Sequence, residues 1–304
     1  MPAGDLALVT GATGFAGPYL CRALREAGYA VATLARTGDA DYRVDVLDRQ
    51  AVLGSFRELK PRWVYHLAAF ALPAAADAQA ALVERVNCGG TENVLDAAAE
   101  VGARTLYVSS AMVYGARARA DGPADEQSQL RPRGAYARSK AAAERLCAER
   151  SREQEIVVVR PFNHTGPGQA PDYVCSDFAR QIALCESGRR PAVIEVGDLR
   201  AERDFSDVRD VVRGYLLALV AGRAGATYNV CSGRAVSIRS VLDTLLEMSR
   251  TEIEVRVARE RLRKGEPDRL VGSYRLLERD TGWRPQIPLE KTLADVLDYW
   301  RSRV

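Results

Sequence analysis

Long apolar runs are missing from this 304-residue chain. Nothing in it approaches the roughly 18 uninterrupted apolar residues that span a bilayer. The run from Leu6 to Phe15 contains glycines and has no basic stretch ahead of it, so it reads as a buried strand and turn, not a targeting segment. The six cysteines (Cys21, Cys88, Cys147, Cys175, Cys185, Cys231) form no CxxC pair. That argues against a zinc site or a disulfide framework and suits reduced thiols in a cytoplasmic protein, so no metal is expected. There are only two histidines, His66 and His164. The formal net charge is +3 and the arginines are spread along the whole sequence, leaving no concentrated basic and aromatic face for nucleic acid. Internal repeats and low-complexity linkers are also absent.

The composition that is present, 47% hydrophobic and 27% charged, is that of a chain with a substantial core. Short apolar or β-branched runs occur at Leu6–Val9, Ala30–Leu34, Trp63–Leu67, Thr105–Ser109 and Ile156–Arg160. Helical patterns lie between them, at Pro18–Ala27, Asp48–Leu59, Ala80–Val101 and Ala135–Arg150. Strands separated by helices of this length imply parallel pairing through right-handed crossovers, with ligands beyond the carboxyl ends of the strands. After Arg160 the regularity breaks, and helices recur at Cys175–Ser187, Val208–Ala221, Ser237–Ser249 and Leu289–Arg301. The expected class is therefore α/β. Residues 1–160 form a doubly wound, Rossmann-type parallel sheet, and residues 161–304 form a smaller C-terminal α/β lobe with segments threaded back into that sheet.

The strand LALVT runs into GATGFAGPYL, with Gly11, Gly14 and Gly17 at three-residue spacing and Thr13 and Phe15 in the same turn. Glycines there let the backbone approach a pyrophosphate, and the helix that follows offers free amides and a positive dipole end. The end of the second strand reads VATLART, placing Arg36 where an acidic residue would select NAD. A guanidinium matches a 2′-phosphate, so NADPH is expected, with NADH possible. Asp45, which begins DVLD, suits either the adenine amino group or a loop cap.

Tyr136 and Lys140 in YARSK project from one helix face. An ammonium near the phenol favours the phenolate and is expected to lower the Tyr136 pKa toward neutrality. Upstream, the strand LYVSS ends at Ser109 and Ser110, at the carboxyl edge of the sheet, where a hydroxyl suits a substrate carbonyl oxygen.

The GxxGxxG turn, SSAMVYG, YARSK, HLAA at His66–Ala69 and VNCGGTENVL at Val86–Leu95 together resemble the extended short-chain dehydrogenase/reductase family. The resemblance implies Ser110, Tyr136 and Lys140 as catalytic residues and Asn87 as a support near the cofactor. It adds Val46, Leu67, Ala68 and Ala69 to the cofactor contacts. In the second half RPFNHTGPGQ, FARQIA, EVGDLRAERDFSDVRDVV and RLRKGEPDRLVGS are similar to the GDP-mannose 4,6-dehydratases and, above all, to the GDP-4-keto-6-deoxymannose reductases that form GDP-D-rhamnose. That likeness makes the C-terminal lobe substrate-binding, with Asn163, Arg203, Arg263 and Glu266 around a nucleotide-diphosphate-sugar. An ion pair with Asp204 or Asp207 is an equal alternative for Arg203.

Within this family the dehydratases carry a carboxylate two residues before the tyrosine of the VYG-type turn, and the 3,5-epimerase/reductases a cysteine near the same place. This chain has Ala111 and Met112 there, and neither exchanges a proton. Reduction of the C4 ketone of a nucleotide-linked 4-keto-6-deoxyhexose is the activity this implies. A dTDP-4-keto-6-deoxyhexose reductase, an NAD-dependent C4 epimerase and a non-catalytic NADPH-binding sensor are the alternatives. Family members pair as homodimers through the segments Ala80–Val101 and Ala135–Arg150, whose faces here are alanine-rich.

Overall fold

In the computed structural model, which describes residues 5–71, 73–116, 119–258 and 269–304, the alternation of the first half becomes one parallel sheet. Its strands are β1 (Leu6–Thr10), β2 (Ala30–Ala35), β3 (Tyr42–Arg43), β4 (Trp63–His66), β5 (Arg104–Val108), β6 (Ile156–Pro161) and the later β11 (Thr227–Val230). They lie in the order β11-β6-β5-β4-β1-β2-β3, and every neighbouring pair is parallel. The order reverses between β1 and β4, which opens a crevice at their carboxyl ends. Strand β6, IVVVRP, is buried at every residue because the sheet is covered on both faces.

Alternation along β1 explains the two faces. Ala7 and Val9 join a core built with α1 (Gly17–Glu26) and α8 (Val208–Ala221), while Leu8 joins α2 (Arg49–Leu59) and α5 (Gly90–Glu100) on the other side. Helix α2 starts where Asp48 accepts from the Ala51 amide at 3.0 Å, an ordinary N-cap. The helix expected over Ala80–Val101 is divided, being preceded by a short α3 (Pro73–Ala76). It consists of α4 (Ala80–Glu84), a π-helical turn at Arg85–Gly89, then α5. Helix α6 (Gly134–Arg150) packs beside α4 and this turn.

The second half contributes short strands. β7 (Asn163–Thr165) pairs with β10 (Phe205–Asp207), and β8 (Val193–Val196) with β13 (Glu254–Val257). β9 (Glu202–Arg203) lies between β12 (Val236–Ser237) and β14 (Arg269–Leu270). Helices α7 (Val174–Glu186), α9 (Ile238–Glu247) and α11 (Leu289–Arg301) close around a separate apolar core. α10 (Arg275–Thr281) and the buried Trp283 return to α8, where the indole donates to the Asp210 carbonyl at 3.0 Å. Among the described residues no helix is long and apolar enough to cross a membrane.

Candidate active site

The turn after β1 is shaped by contacts that only glycine permits. A Cβ on Gly11 (φ +67°) would lie 2.6 Å from the Ala68 amide nitrogen, and one on Gly17 2.1 Å from the Ala12 carbonyl oxygen. No side chain caps α1, so the positive end of its dipole faces the turn with no side-chain acceptor on it. A cavity of about 630 Å³ begins here and continues past the ends of β4, β5 and β6. Its size and the glycine turn at the start of α1 fit a dinucleotide. Every residue expected at the dinucleotide, from Gly11 in the turn to Lys140 on α6, lines the cavity, as do Ser110 and Asn163.

Arg36 follows the last residue of β2 and is exposed, with no hydrogen bond or ion pair among the described residues. Thr13 ties the glycine turn to this strand end by donating to the Thr37 carbonyl at 2.9 Å. Asp45 does act as a loop cap, accepting from the Leu47 amide at 3.0 Å, while still lining the cavity.

Around Tyr136 the electrostatics differ from the sequence expectation. Burial pushes its phenol up to about 12, against a smaller downward pull from the Ser110 hydroxyl. Lys140 does not reverse this, because its Nζ donates to the Val108 carbonyl at 2.7 Å and sits 5.0 Å over the Tyr107 ring. The same burial lowers Lys140 to about 8, with Cys147, then Glu144 and Cys88, opposing the shift.

His66 is structural. Its Nδ1 pairs with Thr10 at 2.7 Å and its Nε2 with Thr91 at 3.1 Å, and burial holds its pKa near 3, so the ring is neutral. Thr91 donates to the Asn87 carbonyl at 2.6 Å. The Asn87 side chain accepts from the Phe70 amide at 2.8 Å and donates to Ser139 at 2.9 Å. Ser139 in turn donates to the Tyr136 carbonyl at 2.8 Å. A continuous chain of hydrogen bonds thus runs from β1 through the π turn to the helix that carries the phenol. His164 stacks on Phe15 with centroids 5.9 Å apart, and its Nδ1 donates to the Phe162 carbonyl at 3.0 Å.

Arg203 is buried on β9, donates to the Glu202 carbonyl at 3.0 Å, and is absent from the cavity's described lining. Neither neighbouring carboxylate follows the ion-pair alternative in its hydrogen bonds. Asp204 accepts from Ser232, Gly233 and Gly272, and Asp207 from Arg209 and Thr292. Arg263 and Glu266 lie outside the described residues. The sequence reading missed Tyr173, which lines the cavity and donates to the Ala71 carbonyl at 3.2 Å, and the pair Glu144–Arg160 beneath Ser109. Glu144 did leave a signal, since it repeats the four-residue spacing of Tyr136 and Lys140.

Comparison with known proteins bears on this geometry. The sequence profile of the NAD dependent epimerase/dehydratase family matches residues 7–231. A GDP-6-deoxy-D-mannose reductase of Pseudomonas aeruginosa is 39% identical over 300 residues, which is 97% of this chain and 97% of that one. A dTDP-glucose 4,6-dehydratase of Streptomyces griseus is 30% identical over 325 residues, covering 97% of this chain and 94% of that one. The structure of RMD from Pseudomonas aeruginosa complexed with NADPH superposes with a TM-score of 0.91 at 37% identity, covering 99% of this chain and 100% of the other.

Proposed function

The chain belongs to the NAD dependent epimerase/dehydratase family, and we propose that it is an NADPH-dependent reductase that converts GDP-4-keto-6-deoxy-D-mannose to GDP-D-rhamnose. The observation that carries this reading is the acid–base equipment of the cavity. Ser110, Tyr136 and Lys140 converge on it, whereas its described lining holds no cysteine and only one carboxylate, Asp45. Met112 lines the cavity at the position where the resemblance puts the dehydratases' carboxylate. Carbonyl reduction needs no such group. The 39% identity to a GDP-6-deoxy-D-mannose reductase and the likeness to a reductase structure holding NADPH support the same assignment.

When bound, the dinucleotide supplies the hydride. The protein's part is to hold the ketone and deliver a proton to its oxygen. With its pKa raised by burial, Tyr136 is a neutral phenol at physiological pH and is ready to donate. Ser110 is assigned to the carbonyl oxygen, and the Lys140 ammonium to favouring the phenolate that remains after transfer. Asn163 on the cavity wall, with Arg203, Arg263 and Glu266 of the second half, is assigned to the nucleotide sugar. Arg36 is assigned to the 2′-phosphate, and the faces of α4–α5 and α6 to a homodimer contact.

The test follows the loss of NADPH absorbance with GDP-4-keto-6-deoxymannose and with dTDP-4-keto-6-deoxyglucose. Consumption of the GDP compound alone is expected. Tyr136→Phe should cut that turnover by at least about a hundredfold while NADPH still binds. Turnover of the dTDP compound alone would move the protein to another deoxysugar, and turnover of neither would remove the reductase reading.

A further inference from the structure

One buried ion pair has no place in the cavity itself. The side chains of Glu144 and Arg160 are 8% and 7% exposed, and neither lines the cavity wall. Taking two charges out of water costs several kcal/mol per ion, so a pair this deep is weak evidence for stability. Its geometry points to a different service. Arg160 Nε donates to Glu144 Oε1 at 2.9 Å and Nη2 donates to Oε2 at 2.6 Å, a fork that fixes the plane of the carboxylate. Beyond it, Arg160 Nη1 donates to the Tyr114 hydroxyl at 2.9 Å, and Tyr114 donates to Asn229 at 2.7 Å. Ser109 donates to the clamped Glu144 Oε1. Tyr136, Lys140 and Glu144 are spaced four apart on α6 and share one face. Strand β5 is therefore fastened to that face by two polar rungs about one helical turn apart, Lys140 to the Val108 carbonyl and Ser109 to Glu144.

Given the reading of the site above, we infer that Glu144 is a positioning residue. Its carboxylate, clamped by Arg160, holds Ser109 so that the adjacent Ser110 faces Tyr136, and it supplies the negative charge that keeps Lys140 protonated. The groups around Lys140 single out this carboxylate. Tyr136, Glu144 and Cys147 come from its own helix, the Tyr107 ring from β5, the neutral His66 from β4 and Cys88 from the π turn. Burial pushes the Cys147 thiol up and keeps it neutral, so among these Glu144 is the one carboxylate.

Two variants separate this role from mere stability. Ser109→Ala removes one rung and leaves the ion pair in place. It should lower kcat about tenfold with little change in ketosugar KM or melting temperature, because a small displacement of a reacting group is costly. The double variant Glu144→Leu/Arg160→Met replaces the pair with apolar volume, a change that buried pairs tolerate. In it the pH midpoint above which NADPH binding weakens, read from NADPH fluorescence, should fall by about one unit as Lys140 loses its counter-charge. Should the double variant not fold, Glu144→Gln carries the same measurement, since it keeps an acceptor for Arg160. An unchanged kcat in Ser109→Ala together with an unchanged pH midpoint would overturn the inference, whatever the melting temperatures. If wild-type protein reduces no ketosugar, the reductase reading fails separately, and the binding midpoint alone decides the role of Glu144.

Discussion

At Tyr136 the protonation state decides whether the side chain can give or take a proton. Burial outweighs the Ser110 hydroxyl and keeps the phenol protonated, which suits a donor to a ketone; a phenolate would be the better acceptor for oxidation. Arg36 poses a different problem, because it is exposed and its worth lies wholly in what it meets. A charge-assisted hydrogen bond to a phosphate contributes roughly 1.5–3 kcal/mol even where neutral pairs contribute less. Arg36→Ala should therefore raise KM for NADPH about tenfold or more and leave KM for NADH nearly unchanged. Steady-state kinetics with both cofactors measures this. Equal losses for the two would show that the guanidinium does not read the 2′-phosphate.

The element that most affects the site is the interrupted helix from α4 to α5. Its π turn carries Asn87, whose side chain bridges the Phe70 amide and Ser139, and the wider turn accommodates that inward amide. Directly after it, Gly90 is buried against Val46, and an added Cβ would come within 2.7 Å of Val46 Cγ2. Gly90→Ala improves helix propensity by about 1 kcal/mol but forces Val46 toward the dinucleotide cavity it lines. NADPH binding should weaken severalfold in a fluorescence titration, and unaltered affinity with a higher melting temperature would refute the packing argument. Much of this region was readable beforehand. Strands β1, β2, β4, β5 and β6 and the longer helices between them showed their periods, as did the pairing of glycine turn, serine strand end and tyrosine helix, whereas the two-residue β3 and the short α3 did not. The π turn was not readable, because VNCGG continues a helical pattern and the extra residue shows only in the hydrogen bonds. β9, β12 and β14, of two residues each, have no period to read, and their pairing is set by distant partners. Lys140 had the right face but an unforeseen acceptor, since a backbone carbonyl on β5 leaves no mark in the sequence.

At the scale of the whole molecule, the second half is held in register by Asp204, a carboxylate that is fully buried. Its Oδ1 accepts from the Ser232 amide at 2.7 Å and the Ser232 hydroxyl at 2.6 Å. Its Oδ2 accepts from the amides of Gly233 at 2.9 Å and Gly272 at 3.2 Å. One side chain thus joins the link between β9 and β10, the loop after β11 and the segment after β14, three stretches far apart in sequence. Asp204→Ala would leave three backbone amides without their acceptor, and the one on Gly272 is buried. At roughly 1–3 kcal/mol for a buried donor left unsatisfied, a loss of about 1–3 kcal/mol in urea unfolding is expected. The bonds lie away from the β1–α1 turn, so the kinetic effect should be selective. If Arg203, next to the broken junction, meets the nucleotide sugar as proposed, KM for the ketosugar should rise, while KM for NADPH should hold. Asp204→Asn keeps an acceptor on one side and should recover part of the stability. Equal damage to both KM values would mean that the junction supports the dinucleotide cradle as well, and unchanged stability would mean that water replaces the carboxylate without cost.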